Sequence, residues 1–196
     1  MILLGENYWS ERYKSGLTGW DIGYASSPLV QYLDQIENKS ISVLIPGSGI
    51  AYEAHYAFRS GFKNVHVLDV SKEPLDGFQL RYPDFPKENL HHQNFFDHSN
   101  SYDLILEQTF FCALDPNLRE EYSRKMLELL NPGGILAGVL FDRTFNSKGP
   151  PFGGSREEYL TIFTEKFEIK TFERCYNSIP ERAGSELFIR LKKSEI

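Results

Sequence analysis

Short apolar, β-branched runs alternate with helix-patterned segments along this chain, and that alternation restricts the fold more than any other feature. Ile41-Ser42-Val43-Leu44-Ile45 ends at Pro46-Gly47, which predicts a strand and a turn. Residues 50–60 have a helical composition and close at Gly61. Residues 64–70 read as a second strand, a short third strand is expected within 89–95, and Tyr102 to Glu107 forms a fourth. A helix is predicted over 116–130, stopped by Asn131-Pro132-Gly133-Gly134. The continuous apolar run 135–141 then has the signature of a strand covered on both faces. Ser155-Arg156-Glu157-Glu158 opens a further helix with capping-box spacing. Two alternating strands, 167–174 and 186–192, end the pattern around a turn containing Pro180 and Gly184. Upstream, Ser26-Ser27-Pro28 reads as a helix start followed by Leu29, Leu33 and Ile36 at helical spacing. The stretch through Leu75, Phe78, Tyr82 and Pro86 is broken by proline and gives no clear element.

Strands alternating with helices mean an α/β fold, a mostly parallel sheet with helices on both faces. The C-terminal hairpin adds an antiparallel strand at or near one edge. A chain of 196 residues, 41% of them hydrophobic, is expected to form one domain over 1–196 with a core that needs no staples. Its net charge of −6 argues against a nucleic-acid-binding face. Two cysteines, Cys112 and Cys175, are too few for a disulfide framework, which makes a reducing cytoplasm the expected location. The opening Met1-Ile2-Leu3-Leu4 lacks the basic region and apolar length of a signal peptide. No stretch approaches the roughly 18 apolar residues of a membrane span. No nucleic acid or membrane partner is expected, and a monomer is favoured.

Open α/β sheets bind ligands beyond the carboxyl ends of their strands, where strand order switches. After the first strand comes Pro46-Gly47-Ser48-Gly49-Ile50-Ala51-Tyr52. Gly47 and Gly49 let a ligand approach the backbone closely, but a dinucleotide fingerprint would need glycine where Tyr52 stands. The loop suits an adenosine-type ligand better than a pyrophosphate, and a purely structural turn is equally compatible with it. Asp69, at the tip of the second strand, has the spacing of an acid that accepts hydrogen bonds from ribose hydroxyls; the alternative is a cap on the helix that follows. Asn94 and Phe95 follow the third strand, where a polar side chain can read an adenine edge while an aromatic packs its ring. His91, His92 and His98 around them have no cysteine partner and read as a solvated loop, so no metal is expected. Glu107 and Gln108 end the fourth strand, where either could face an ammonium or carboxylate of the ligand. Cys112 invites a nucleophile reading; its apolar flanks and the lack of a nearby histidine favour a buried hydrophobe. Phe141-Asp142-Arg143 ends the fifth strand with a charged pair beside an aromatic. Residues 1–26 crowd Trp9, Tyr13, Trp20 and Tyr24 into a polar, glycine-bearing segment, read as a lid over something or as a helix docking its aromatics on the core.

These residues together resemble the thiopurine methyltransferase superfamily of S-adenosylmethionine-dependent methyltransferases, and within it the halide/thiol methyltransferase branch. The resemblance runs through Trp9, Tyr13, Thr18-Gly19-Trp20-Asp21-Ile22-Gly23 and Ser27-Pro28-Leu29. It continues through Leu44 to Gly49, Leu68-Asp69-Val70-Ser71, Tyr102 to Ile105, Phe110 to Pro116, Leu129 to Gly134 and Gly149-Pro150-Pro151-Phe152. It implies the Rossmann-like, seven-stranded class I methyltransferase fold with an antiparallel last strand. It also implies an N-terminal segment that closes over the cofactor with Trp9, Tyr13 and Trp20 around the methyl donor. Gly47 would then lie under the methionine part, Asp69 at the ribose, Asn94 with Phe95 at the adenine edge and Gln108 against the cofactor. Phe141, with Tyr13, would line the substrate pocket. Ile50 and Ala51 stand where glycines are common, and Phe141 where the halide branch has tyrosine, a change that removes a donor to a small anion.

The implied reaction moves a methyl group from S-adenosylmethionine to a small soft nucleophile, a thiol or related anion, by direct in-line displacement, leaving S-adenosylhomocysteine. Asp142 is the candidate to take a proton from a thiol of higher pKa, and Arg143 the candidate to attract an anion. Two other readings stand against it: a non-catalytic module that binds S-adenosylmethionine on the same fold, and a nicotinamide-dependent reductase. The reductase lacks both the third glycine and a tyrosine–lysine pair.

Overall fold

The computed structural model describes residues 4–146 and 148–195; the signal-peptide reading of Met1, Ile2 and Leu3 falls outside them. Seven strands form one sheet: β1 Ser42–Pro46, β2 Asn64–Asp69, β3 Leu90–His92, β4 Tyr102–Gln108, β5 Leu130–Phe141, β6 Glu168–Arg174 and β7 Glu186–Lys192. Their spatial order is β3-β2-β1-β4-β5-β7-β6. The first five strands pair in parallel, and β7 runs antiparallel between β5 and β6. The predicted antiparallel element is present, with β7 inside the sheet and β6 at its edge.

Among the described residues six α-helices flank the sheet: α1 Glu6–Lys14, α2 Ser27–Asp34, α3 Tyr52–Arg59, α4 Lys72–Arg81, α5 Arg119–Leu129 and α6 Arg156–Phe163. Leu29, Leu33, Ala54, Ala57, Leu75 and Phe78 from α2, α3 and α4 pack with Val43, Ile45, Val65 and Val67 on one face. Tyr122, Met126, Tyr159 and Phe163 from α5 and α6 pack with Leu44, Ile105, Leu136 and Leu140 on the other. Adjacent residues of β1 thus enter opposite cores, as the alternation of side chains in a strand requires. Fully burying a side chain such as Phe78 contributes about 1.5–3 kcal/mol. Among the described residues no helix is long and apolar enough to cross a membrane.

Two segments depart from the sequence reading. The stretch broken by proline is helix α4, because Pro74 stands in its first turn, where a missing N–H leaves no bond unmade. Strand β5 begins at Leu130 and includes Asn131 to Gly134 as an irregular step in its pairing with β4. Gly133, at φ +76°, allows that step.

Of the three histidines expected in a solvated loop, His92 is exposed, but His91 is half-buried on β3 and His98 is buried. His98 is 2% exposed, and its Nε2 lies 2.7 Å from the Tyr102 hydroxyl. His66 of β2 stacks on His91 of β3 with Nδ1 and Nε2 3.0 Å apart, and His91 packs against His98. Burial, reinforced by mutual repulsion, lowers His66 and His98 to about 4, and burial also lowers His91. Lys125 of α5 adds to the effect on His98. A histidine held below its free pKa is neutral in the fold and gains its proton on unfolding. Its contribution is therefore complete above about pH 6.5 and is lost as pH falls toward 4. The denaturation midpoint of the wild type should fall more between pH 7 and pH 5 than that of His98→Asn. An equal fall in both would show that this cluster does not govern acid stability.

Candidate functional site

Strand order reverses between β1 and β4, and their carboxyl ends open into a cavity of about 930 Å³. Its floor is the loop after β1. Gly47 and Gly49 have φ of +57° and +51°, and Ser48 N–H donates to the Leu68 carbonyl, tying the loop to β2. A Cβ on Gly49 would stand 2.8 Å from the Tyr13 hydroxyl, and one on Gly47 only 2.2 Å from the Phe110 ring. Ala51, before α3, takes a left-handed φ of +61°, a conformation that costs a non-glycine residue about 1–2 kcal/mol.

Asp69 is 5% exposed at the end of β2. Its Oδ2 accepts Gly49 N–H and its Oδ1 accepts Ser71 N–H, both at 2.8 Å. The carboxylate thus shapes the glycine loop and precedes α4, whose N-cap is Ser71. Burial raises its pKa to about 6 against the pull of those amides.

Helix α1 crosses the open side and packs on α4 through a Lys14–Glu73 ion pair of 3.2 Å; Glu6 Oε1 lies 3.0 Å from His92 Nε2. Trp20 meets Trp9 and Tyr13 edge to face, with ring centroids 5.5 and 5.8 Å apart. It also hydrogen-bonds the Tyr13 hydroxyl, and burial with the nearby Asp69 charge pushes that phenol far up. All three aromatics line the cavity, as do Asn94, Phe95 and Gln108. Asn94 Oδ1 accepts Phe96 N–H in a tight turn, which presents Phe95 inward. Gln108 Oε1 and Ser48 Oγ are buried with no hydrogen-bond partner among the described residues.

At the far end the cavity is lined by Phe141, Phe145, Arg143, Arg182, Pro150 and Pro151. Phe145 meets Phe141 edge to face at 5.0 Å. The Arg182 guanidinium lies 5.5 Å over the Phe141 ring, donates to the Trp20 carbonyl and sits 3.6 Å from Glu186. Arg182 and Phe145 were missed in the sequence because no motif or spacing marks them, and Phe110, though within a motif of the resemblance, was given no role. Arg182 reaches the cavity only because the turn before β7 folds back beside β5.

Two sequence-derived roles need correction, those of Glu107 and Asp142. Glu107 does not line the cavity: it is fully buried, and its carboxylate is taken by the Phe110 and Phe111 amides and the Tyr122 hydroxyl. Asp142 turns away as well, its Oδ1 accepting Arg156 N–H at the start of α6. It forms no charged pair with Arg143, whose guanidinium lies over Phe145. Cys112 lines the cavity, but burial and then the Glu107 charge push its thiol up, and Sγ donates to the Thr109 carbonyl. That is the setting of an inert thiol.

The family model for thiopurine S-methyltransferase (TPMT) matches residues 4–188. A probable thiol methyltransferase 2 of Arabidopsis thaliana is 30% identical, with 98% of this chain and 88% of the relative covered. Thiocyanate methyltransferase 1 of Brassica oleracea is 29% identical over 96% of this chain and 85% of its own length. The thiopurine S-methyltransferase of Acinetobacter baylyi is 21% identical over 91% and 92%. Among solved structures, the 1,6-didemethyltoxoflavin-N1-methyltransferase of Burkholderia thailandensis superposes with a TM-score of 0.73 at 17% identity, covering 96% of this chain and 87% of its own. The magnesium protoporphyrin IX methyltransferase of Synechocystis does so with 0.72 at 14%, covering 96% and 99%; both were solved with S-adenosylhomocysteine. The structural likeness establishes the class I methyltransferase fold, and the match over nearly the whole length establishes the rest: the chain belongs to the thiopurine S-methyltransferase family.

Proposed function

We propose that this chain is an S-adenosylmethionine-dependent methyltransferase acting on a small soft nucleophile, a thiol or related anion, by direct in-line displacement. The observation that carries this reading is one continuous cavity. It joins the Gly47–Gly49 loop and Asp69 at one end to the Phe141, Phe145 and Arg182 wall at the other. At about 930 Å³ it lies near the top of the range for ligand pockets, room for a nucleoside cofactor and an organic acceptor side by side.

The residues fit the cofactor. The glycine loop has no Cβ to fill the cradle, Asp69 can accept from ribose hydroxyls, and the unpartnered Gln108 Oε1 awaits a donor. When bound, S-adenosylmethionine supplies a methyl group on a sulfonium already activated for displacement. Trp9, Tyr13 and Trp20 form the lid in this reading; aromatics against a sulfonium add about 0.5–2 kcal/mol of cation–π attraction and exclude water. The chain's main task is to hold acceptor and donor in line, which supplies on the order of 7–11 kcal/mol in favourable cases. With Asp142 turned to α6, this end of the cavity carries Arg143 and Arg182 beside Glu181, and its two guanidinium groups favour an acceptor that arrives as a thiolate or other anion. Two buried free cysteines suit a reducing compartment such as the cytoplasm.

The test is transfer of labelled methyl to iodide, thiocyanate, hydrosulfide, thiophenol and a mercaptopurine, with catechol and histamine as oxygen and nitrogen controls. Turnover is expected with the sulfur acceptors, organic thiols foremost given the cavity's size. Turnover confined to catechol or histamine, or none at all with S-adenosylmethionine shown to bind, would overturn the acceptor class.

A further inference from the structure

Glu107 is a buried carboxylate that the reaction as described does not use. It sits on β4 opposite Gly138 of β5, where a Cβ would stand 2.4 Å from the Glu107 side chain, so only glycine leaves it room. Its Oε1 accepts Phe110 N–H at 2.8 Å and Phe111 N–H at 2.9 Å, and its Oε2 accepts the Tyr122 hydroxyl of α5. These bonds hold a turn with an unusual backbone, since Thr109 has φ +56°. The turn presents Gln108 and Phe110 to the cavity and seats the Phe110 ring over Gly47. The charged and titratable groups facing Glu107 are Tyr122 from α5, Cys112 from the turn and, across a small void, Glu186 of β7. None of these is a cation, and the two cations that act on Cys112, Arg119 and Arg182, are themselves paired with Glu158 and Glu186. Glu186 has its own partner in Arg182.

We propose that Glu107 is a positioning residue acting from behind the cavity wall: its carboxylate fixes the turn that carries Gln108 and Phe110, and its uncompensated charge favours the cationic methyl donor over the neutral product. A buried charge without a partner is costly, and a cation placed in the adjoining cavity lowers that cost. Consistent with this, desolvation holds Glu107 up at about 7 although three hydrogen bonds favour its charged form. The inference rests on the proposed cofactor.

The two parts of the role separate in two variants. Glu107→Gln keeps an oxygen for the two amides and removes the charge; Glu107→Ala removes both. Calorimetric Kd values for S-adenosylmethionine and S-adenosylhomocysteine are measured at pH 8, with melting temperatures alongside. Glu107→Gln should weaken binding of S-adenosylmethionine at least fivefold while changing S-adenosylhomocysteine less than twofold. Glu107→Ala should weaken both by tenfold or more. Equal losses of both ligands in Glu107→Gln would overturn the charge role. A lower melting temperature with wild-type affinities would overturn the whole proposal, reducing Glu107 to a structural brace. Should Glu107→Ala fail to fold, Glu107→Gln and Tyr122→Phe decide the matter, the latter with both affinities expected to fall together. A wild-type protein that binds neither ligand would instead remove the cofactor reading on which the proposal stands.

Discussion

Replacing Gly47 by alanine is expected to lower affinity for S-adenosylhomocysteine by at least a hundredfold. The new Cβ would lie 2.2 Å from Cδ2, 2.5 Å from Cγ and 3.0 Å from Cβ of Phe110, so the root of that side chain must move as well as its tip. Phe110 cannot yield easily, because it packs against Phe95 and Tyr122 and its amide is held by Glu107. A left-handed φ adds about 1–2 kcal/mol of strain, and overpacking typically costs about 1–3 kcal/mol. Roughly 3 kcal/mol is about a hundredfold in affinity. Gly49→Ala is the internal comparison. There the Cβ meets only the Tyr13 hydroxyl, the far end of a longer side chain, at 2.8 Å. The loss should be roughly tenfold, the same left-handed strain accounting for most of it. Calorimetry on both variants checks the order, and a larger loss at Gly49 would show that the Phe110 contact is soft.

Trp20→Ala should have the second largest effect, a rise of about 10- to 100-fold in the KM for S-adenosylmethionine. Two edge-to-face pairs are lost, with Trp9 and Tyr13, each worth about 0.5–1.5 kcal/mol beyond the area it buries, together with the hydrogen bond to Tyr13. The melting temperature should change little by comparison, because the main cores draw on neither tryptophan. Unchanged affinity and turnover would make the N-terminal segment structural only. A collapse of the melting temperature would place its contribution in the fold rather than in closure.

Reading the sequence recovered what depends on local pattern. Strands β1, β2, β4, β5 and β7 stand out as apolar runs, and Ser155 caps α6 as its spacing implies. Helix α4 escaped because its proline looks like a breaker, although Pro74 is harmless in a first turn. Side-chain direction was the harder quantity. A strand covered on both faces is apolar throughout, so alternation could not tell whether Glu107 or Gln108 faced the ligand, and Gln108 is the one that lines the cavity. The histidine cluster was hidden because its partner His66 lies on another strand, brought alongside only by the pairing of β2 with β3. Arg182 belongs to the same class: contacts made by topology leave no mark in spacing.

Strand β7 carries a consequence for how the molecule is made. It lies between β5 and β6 although it follows both in sequence, so neither of them has its neighbour on that side until residues 186–192 arrive. During synthesis the nascent chain would expose an unpaired edge of β5, whose 135–141 run is almost wholly apolar, and a detached β6. Such a chain closes late and depends on contacts far apart in sequence, the condition under which folding slows and self-association competes. The same final insertion brings Arg182 beside Phe141, so that end of the cavity takes shape at the moment the sheet is sealed.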